Sequence, residues 1–364
     1  MPVPPLSSTS PLDWRYVAEG GANLVLSFCS QPDSPYAGHA LRLRKRKKRS
    51  CGRDEHDEVP AEVDVEFGRI VVEPLSGQAQ LPETVQVELG RAWLEQLVER
   101  MKQEGVRPAE REEEDEVDLD AKNGVVVEDL ISGEGVPAIE IKPKWGFLPS
   151  PAHLSPSTVP LKTMYCRFCM HRYYKRVLSS ASSPEDRSTA LAAHEGEYCP
   201  LDLYSSDSEQ VERALRLRST VDAHDIEGLA ALLKLKTGVD ITFALADLSR
   251  LGPQPSMQEW RDWMEQFRSL FPSFPSSSSS TPNIAAAQQV FLSGNPRFAI
   301  FAYLLSATFK DCSLIVRLPL SPPPLSSSSL PTGSFSTAQP LPSVKAIDLD
   351  PKPIIRLAKY WRMD

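Results

Sequence analysis

The sequence of 364 residues lacks the features of a membrane or secreted protein. It has no run approaching the roughly 18 apolar residues that a membrane-spanning helix needs, so we predict no membrane association. Residues 1–13 are rich in proline and serine, and they contain no apolar signal segment. With six cysteines in the whole chain, this composition predicts a reducing compartment, the nucleus or the cytoplasm or both.

The chain also lacks an excess of positive charge. Its formal net charge is −8, whereas a general nucleic-acid binder needs an overall or regional excess of cations. We therefore predict no nucleic-acid partner, and an anionic ligand would need a local basic pocket. The composition, 41% apolar and 24% charged, is typical of a globular protein long enough for two domains, and we expect a monomer.

Familiar phosphate-binding motifs are missing, because the chain has neither the Walker A spacing nor the G-x-G-x-x-G of protein kinases. It has instead two adjacent glycines, Gly20 and Gly21, between two predicted strands, and a third predicted strand follows at 40–45. Adjacent glycines let backbone amides approach a phosphate, which Arg42 or Lys45 could also reach. An ordinary hairpin turn explains the same pattern.

Two short stretches combine lysines with carboxylates. In the first, at 140–149, isoleucines alternate with Glu140 and Lys142, which predicts a strand that carries both charges on one face. In the second, at 347–356, a predicted strand delivers Asp348 to its end. Opposite charges this close together indicate a phosphate and metal site. Either stretch alone is also typical of a surface ion pair at the edge of a sheet.

Several further elements follow from periodicity. Residues 85–104 have apolar side chains at nearly helical spacing, which predicts an amphipathic helix packed on the core. Residues 125–127 predict a buried strand, and residues 298–308 a buried helix that leads to a strand at 314–318. Asp311 lies between that helix and that strand. A carboxylate at the mouth of a buried strand can accept the proton of an attacking hydroxyl, so we predict that Asp311 is a general base.

The cysteines include a C-x-x-C pair, Cys166 and Cys169, which is the usual half of a zinc site. Cys199 with His171 or His194 would complete a tetrahedron, and buried thiols in a reducing compartment are the alternative. On the same predicted helix, three basic residues share one face that can meet phosphates: Arg172, Lys175 and Arg176.

The remaining segments are charged or of low complexity. The basic block at 44–49 is either a nuclear-import signal or a solvated loop after the strand. The acidic residues at 112–120 predict a mobile surface loop. Segments rich in serine and proline near 272–283 and 319–343 predict flexible insertions.

Six motifs, in this order along the chain, resemble those of the fungal inositol-pentakisphosphate 2-kinases. They are EGGAN at 19–23, LRLRK at 41–45, EIKPKWGFLP at 140–149, YCPLDL at 198–203, DCS at 311–313 and DLDPKP at 348–353. The resemblance implies transfer of the ATP γ-phosphate to the 2-hydroxyl of inositol 1,3,4,5,6-pentakisphosphate, which gives inositol hexakisphosphate (phytic acid). It also implies an α+β, two-lobed inositol-polyphosphate-kinase fold, with an antiparallel N-lobe sheet at 1–139 that binds nucleotide and a larger mixed C-lobe at 140–364.

The resemblance also implies roles for individual residues. Asp311 is the base, Asp348 binds magnesium, and Asp350 assists it. The residues expected at the nucleotide are Glu19, Gly20, Gly21, Ala22, Asn23, Arg42, Asp129 and Glu140. Those expected at the inositol phosphates are Arg111, Lys142, Lys144, Lys175, Lys352, Arg356 and Tyr360. A structural zinc on Cys166, Cys169 and Cys199 is the third cofactor prediction, beside ATP and magnesium.

The sequence departs from the family pattern at two places. Glu128 and Leu130 stand where plant members carry asparagine and histidine, so at this hinge only backbone contacts to adenine are expected. An asparagine-rich substrate motif is missing near 225–229. A scaffold that binds inositol phosphates without catalysis is the alternative function, and the presence of both Asp311 and Asp348 argues against it. A related kinase acting on another inositol polyphosphate or a lipid head group is a third reading, and no membrane-docking segment supports the lipid version.

Overall fold

A computed structural model of the chain has an α+β fold with antiparallel sheets. It describes residues 5–48, 61–76, 80–131, 138–142, 148–149, 151, 154–179, 199–203, 205, 207, 209–210, 214, 252–270, 296–317, 343–355 and 357. Among the described helices, none has the length and apolar character needed to cross a bilayer.

The strands are β1 (Trp14–Glu19), β2 (Asn23–Phe28), β3 (His39–Lys47), β4 (Thr84–Glu88), β5 (Asp115–Val117), β6 (Asn123–Glu128), β7 (Ala138–Ile141), β8 (Ser313–Arg317) and β9 (Ser343–Ile347). The α-helices are α1 (Ala61–Phe67), α2 (Glu73–Ser76), α3 (Arg91–Glu104), α4 (Ala109–Glu114), α5 (Val159–Lys162), α6 (Arg167–Ser179), α7 (Pro200–Leu203), α8 (Met257–Leu270) and α9 (Pro296–Lys310). A π-helical turn, Gly68–Val72, joins α1 to α2, and two short 3-10 helices, Leu6–Ser8 and Pro11–Asp13, precede β1.

The larger sheet has the order β1-β2-β3-β6-β4, and β5 pairs with the far end of β3. The three strands predicted in this part of the chain are β1, β2 and β3, and β2 pairs antiparallel with both of the others. Leu24 and Leu26 on β2, and Leu41 and Leu43 on β3, alternate with less buried residues and form one apolar face. Alternation with a period of two puts every second side chain on the same side of a strand.

Helix α3 covers that apolar face. Trp93, Leu94, Leu97 and Met101 recur at helical spacing and are buried against it. The predicted helix at 85–104 is thus correct only for its second part, because residues 84–88 form β4. Strand β4 pairs with β6, and this long-range hydrogen bonding overrides a short run that fits either period.

Strand β3 presents different charges on its two faces. Leu41, Leu43 and Lys45 lie on the core side, whereas Arg42 and Arg44 lie on the other. Of the two cations considered for a phosphate, only Arg42 is therefore outside the core. The basic block does not form a solvated loop, since its residues 44–47 belong to β3 itself.

Most of the acidic segment at 112–120 is regular rather than a loop, since only residues 118–120 lie outside a helix or strand. It contains the end of α4 and the whole of β5, which pairs with β3 at Lys45–Lys47. Its carboxylates meet the basic block: Arg46 Nε lies 2.8 Å from Glu116 Oε1, and Lys47 Nζ lies 3.2 Å from Asp115 Oδ2. Opposite charge runs that are far apart in the sequence thus neutralise each other.

The second sheet has the order β7-β8-β9, with β8 in the centre. The predicted strands near 139–141, 314–318 and 344–347 are confirmed. Helix α9 precedes β8 and is almost wholly buried, as the apolar run at 298–308 predicts. All three strands pair antiparallel.

The chain divides into two compact units. The first contains residues 1–133, 251–272 and 350–363, and the second contains residues 134–250 and 273–349, with residue 364. The first unit therefore takes two segments from the half of the chain that the sequence analysis assigned to a C-lobe. One of them, α8, packs within that unit on α1, with the rings of Phe67 and Trp260 at 5.1 Å between centroids.

Candidate active site

One end of the three-stranded sheet collects the predicted catalytic residues. Ser313, the first residue of β8, pairs with Ile347, the last residue of β9, and Asp348 follows directly. Asp311 precedes Ser313 by two residues, so the register brings both aspartates to the same end of the sheet. Lys142 reaches this end as well, because Ile141 of β7 pairs with Leu314 of β8.

Asp348 leaves β9 in an unusual backbone conformation. Its φ is +61°, and among the described residues no other non-glycine residue has a positive φ. Aspartate tolerates this left-handed region better than most residues, and such backbone is often found at functional sites. Its Oδ2 accepts a hydrogen bond from Ser313 Oγ at 3.3 Å, and the side chain is exposed. An exposed, oriented carboxylate of this kind is a ligand that Mg²⁺ favours.

Asp311 lies in the turn between α9 and β8. Its backbone N–H donates to Thr308 O at 3.2 Å, which holds the turn against the end of the helix. The residue is half-buried, between a buried helix and a buried strand. The backbone of Asp311 is thus held by the turn, and its half-buried side chain is still reachable, as a general base requires.

Glu140 and Lys142 lie on the same side of β7, as their alternation predicts. Lys142 Nζ is 3.0 Å from Glu140 Oε1, and the two side chains are 47% and 42% exposed. A pair this exposed contributes little stability, on the order of 0–1 kcal/mol. Breaking this one ion pair would therefore cost little free energy.

The glycine turn lies between β1 and β2 in the first unit. The Gly20 N–H donates to Asn23 O at 2.9 Å, and Gly20, Gly21 and Ala22 are exposed. Neither glycine has a positive φ, and a Cβ added at either would meet nothing within 4 Å. The fold itself therefore does not require glycine here, whereas a ligand that approaches the backbone would.

On the expectation that this turn binds the phosphates of ATP, replacing Gly21 by alanine should raise the KM for ATP by about tenfold, because the methyl group would fill the space that a phosphate needs. The thermal unfolding temperature should stay unchanged, since the substitution adds neither strain nor a clash. Steady-state kinetics and a thermal melt measure the two quantities. Gly105→Ala, at φ +60° at the end of α3, is the opposite control, with a lower unfolding temperature and an unchanged KM. An unchanged KM for Gly21→Ala would remove the turn from the nucleotide site.

Arg42 contacts Asp350, and this pair belongs to a larger cluster. Arg42 Nη2 lies 3.3 Å from both Asp350 oxygens, and Arg44 Nη2 lies 2.5 Å from Asp64 Oδ2. Burial, together with the charge of Asp350, raises the pKa of Asp64 to about 7 against the opposing effect of the two arginines. Burial also acts to raise the pKa of Asp350, but Arg42, Arg44 and Lys352 outweigh it and hold that pKa below its ordinary value.

Asp64 is a residue that the sequence analysis missed. It comes from α1, in a charged stretch where no local pattern separates it from its neighbours. The available signal was on strand β3: Arg42 and Arg44, two residues apart, share a face and need an anionic partner. Lys352, predicted to bind substrate, is buried in the same unit between Pro351 and Pro353.

Asp129 follows β6, where the nucleotide hinge is expected. Its carboxylate accepts hydrogen bonds from the Ser27 hydroxyl and, at 3.0 Å, from the Ile131 N–H. Its own N–H donates to Gly38 O at 2.8 Å, and the Glu128 N–H donates to Glu83 O at 3.0 Å. These three N–H groups are therefore committed within the unit, and an adenine contact here would use other backbone atoms.

The Glu19 carboxylate is likewise committed to protein partners. Its Oε2 lies 2.8 Å from Lys45 Nζ and 2.7 Å from Arg107 Nη2. Burial acts to raise the pKa of Glu19, and the hydrogen bonds from Arg107 and Lys45 more than compensate and lower it. Any contact of this residue with a nucleotide would involve its backbone.

Two further predicted substrate cations lie on helices. Arg111 on α4 is half-buried, with its Nη1 at 3.7 Å from Glu114 Oε2, and Lys175 on α6 is exposed. On the same helix, the Arg172 guanidinium lies over the Phe168 ring at 5.4 Å from its centroid. Three further predicted residues, Lys144, Arg356 and Tyr360, lie outside the described residues, as do residues 225–229.

Cys166, Cys169 and Cys199 come together in the second unit. Their sulfur atoms all lie within 4.8 Å of one another, and Cys166 and Cys199 are 3.9 Å apart. Hydrogen bonds from the Cys166 and Cys169 thiols and from the Leu201 and Asp202 N–H groups lower the pKa of Cys199. Ligands of a tetrahedral zinc, each about 2.3 Å from the metal, would be about 3.8 Å apart, so these thiols fit three of its positions. Within the described part of the chain His171 is not in this group, and His194 lies outside the described residues.

Comparison with known proteins identifies similar sequences over the whole chain. The family described as "Inositol-pentakisphosphate 2-kinase" matches residues 16–220 and 215–364. An inositol-pentakisphosphate 2-kinase of Cryptococcus neoformans is 29% identical over 416 aligned residues, which cover 99% of this chain and 93% of that protein. Those of Arabidopsis thaliana (26% identical, 56% of this chain and 49% of the relative) and Danio rerio (27%, 71% and 49%) match over shorter stretches.

Proposed function

This chain belongs to the inositol-pentakisphosphate 2-kinase family, and on that premise we propose that it transfers the γ-phosphate of ATP to the 2-hydroxyl of inositol 1,3,4,5,6-pentakisphosphate. The products are inositol hexakisphosphate and ADP. The observation that carries this proposal is the register of β8 and β9, which brings Asp311 and Asp348 to one end of a sheet with Lys142 beside them. A protein that only binds inositol phosphates needs no such pair of carboxylates.

The fold we propose is that of a two-lobed inositol-polyphosphate kinase. The six-stranded antiparallel sheet with its glycine turn corresponds to the expected N-lobe. The three-stranded sheet with α9 corresponds to part of the expected mixed C-lobe. The chain passes from the second unit to the first between Asp348 and Asp350, within the DLDPKP motif.

In the reaction, Asp311 accepts the proton of the 2-hydroxyl as its oxygen attacks the γ-phosphorus. The bond from that phosphorus to the bridging β-γ oxygen breaks, and ADP leaves. Asp348 is the residue that would hold magnesium, which, when bound, neutralises negative charge on the β- and γ-phosphates. Positioning and charge neutralisation supply most of the acceleration in phosphoryl transfer.

Cations would neutralise the acceptor, whose five phosphates carry a large negative charge. Those assigned to it are Arg111, Lys142, Lys144, Lys175, Lys352 and Arg356, with Tyr360. The support for Lys142 and Lys175 is that both side chains are exposed, and the support for Arg111 is that its side chain is 40% exposed. The glycine turn, Arg42, and the backbone near Asp129 are assigned to the nucleotide, with Glu140 on β7.

The test of this function is incubation of the purified chain with radiolabelled ATP and each inositol tetrakis- and pentakisphosphate isomer, with the labelled position mapped in the product. We expect label at position 2 of the 1,3,4,5,6-isomer. Label at another position, or with another isomer only, would make the chain a kinase of different specificity. Binding of the pentakisphosphate without turnover would favour the scaffold function instead.

We also propose that Cys166, Cys169 and Cys199 hold a structural zinc, with a fourth ligand outside this group. Cys169→Ser should therefore remove zinc from the purified protein and lower its unfolding temperature by on the order of 10 °C, because a structural metal contributes directly to folding. Metal analysis and a thermal melt measure both effects. Cys29→Ser is the matched control, since Cys29 is exposed and outside the group. Wild-type protein that was never treated with a chelator and carries no zinc would contradict the site.

We propose that the protein acts as a monomer in the nucleus or the cytoplasm. The basic block is not freely available as a nuclear-import signal, since residues 44–48 all have acidic or carbonyl partners. An import receptor would have to compete with those contacts.

A further inference from the structure

Four charged side chains form a buried ion-pair square in the first unit: Glu19, Lys45, Arg107 and Asp115. Lys45 Nζ lies 2.8 Å from Glu19 Oε2 and 3.1 Å from Asp115 Oδ2. Arg107 Nη2 lies 2.7 Å from Glu19 Oε2 and 2.9 Å from Asp115 Oδ1. Each cation therefore contacts both anions. The four side chains are between 1% and 7% exposed.

A buried ion-pair square contributes little net free energy to the stability of a fold. Taking charges out of water costs free energy that their mutual attraction only partly recovers, and apolar residues of similar size often stabilise as well or better. Lys45 lies on the core face of β3, in line with Leu41 and Leu43, where an apolar residue would be ordinary. What the square offers beyond stability is a defined geometry for the elements that it joins.

The glycine turn is one of those elements. Glu19 is the last residue of β1 and directly precedes Gly20. Lys45 holds the other side of the turn, because its backbone N–H donates to Ala22 O at 2.9 Å. The same residue thus fixes the turn through its backbone and fixes Glu19 through its side chain.

Helix α4, which carries Arg111, is the other element. Arg107 lies two residues before the helix begins at Ala109, and Asp115 follows its last residue, Glu114. Arg107 Nη1 also donates to the Asp115 backbone carbonyl at 3.4 Å. Both ends of this short helix are therefore tied to the square.

We propose that Arg107 and Asp115 are positioning residues that hold the glycine turn and Arg111 in one geometry, so that the nucleotide and acceptor contacts are set together. The proposal rests on the proposed function, which assigns the turn to ATP and Arg111 to the inositol phosphates. It gives the Glu19 side chain a positioning role too. None of the four side chains is assigned a direct contact with a substrate.

The test compares Arg107→Lys with Arg100→Lys. Lysine keeps the charge but loses the guanidinium fork that contacts Glu19 and Asp115 together. Arg100 is the matched control: its guanidinium donates to the Trp14 carbonyl, at the opposite end of the same strand β1. Both arginines hold β1, and only Arg107 holds it beside the turn.

We expect Arg107→Lys to raise the KM values for ATP and for the pentakisphosphate by about tenfold or more, because small displacements of binding groups are costly. Arg100→Lys should lower the unfolding temperature and leave both KM values within about twofold of wild type. Equal KM effects in the two variants, or an unchanged KM in Arg107→Lys, would overturn the proposal. Should Arg107→Lys fail to fold, the charge-balanced double variant Arg107→Gln/Asp115→Asn must show the same rise in KM.

Direct titration with ATP, without any acceptor, separates this proposal from the proposed function. If wild-type protein binds ATP but does not phosphorylate the pentakisphosphate, the function fails. The comparison of ATP affinities between Arg107→Lys and Arg100→Lys then still decides whether the square positions the glycine turn.

Discussion

Replacing Asp311 by asparagine is expected to lower kcat by about 10²–10⁴-fold, the usual contribution of a general base. Asparagine has nearly the same shape and keeps the backbone N–H that donates to Thr308 O, so the turn after α9 should persist. The affinity for ATP should not change, because the role proposed for Asp311 is at the acceptor hydroxyl. Steady-state kinetics give kcat, and titration with ATP gives the affinity.

Arg317→Gln is the control for this experiment. Arg317 ends the same strand, β8, at the end away from Asp311. We expect its kcat to stay near wild type. Turnover close to wild type in Asp311→Asn, or loss of ATP binding in that variant, would show that Asp311 is not the base.

Asp348→Asn is expected to lower kcat by about 10²–10³-fold, a loss comparable to removal of one electrostatic group from an active site. Asparagine also tolerates a positive φ, so the backbone at +61° should be kept without added strain. Its amide oxygen can still accept the hydrogen bond from Ser313 Oγ. The variant therefore removes one negative charge and little else.

The dependence of activity on Mg²⁺ concentration tests whether that charge is a metal ligand. In Asp348→Asn, half-maximal activity should require far more Mg²⁺, because a carboxylate binds the ion much better than an amide does. Ser313→Ala removes only the hydrogen bond and should cost about threefold to tenfold, in line with a single hydrogen bond of about 1 kcal/mol. An unchanged Mg²⁺ dependence in Asp348→Asn would contradict the assignment.

The two aspartates, Asp311 and Asp348, also show which features of the site can be predicted from the sequence. Their position at strand ends follows from local alternation and from the motifs DCS and DLDPKP. The pairing of Ser313 with Ile347 does not, because the two strands are separated by a long segment rich in serine and proline. Local patterns predict which face of a strand is buried, but they do not predict which strand pairs with it.

The sequence predictions that were wrong failed for the same reason, because local patterns do not identify partners that are distant in the sequence. The apolar spacing at 85–89 fits the start of a helix, and only pairing with β6 makes it a strand. The charge runs at 44–49 and 112–120 are each typical of solvated loops when read alone. In the fold, residues 44–47 belong to β3 and residues 112–117 to α4 and β5, and each run supplies counter-ions to the other.

The sequence by itself determined the family, the alternation of the strands, the buried helix before Asp311, and the spacing of the C-x-x-C pair. Tertiary structure alone decided that Lys45 and Glu19 are buried partners, that Asp64 joins Arg44, and that Cys199 meets Cys166 and Cys169. The physical reason is that periodicity is set by neighbours within a few residues. A buried charge or a thiol cluster is stabilised by partners that only the folded chain brings near.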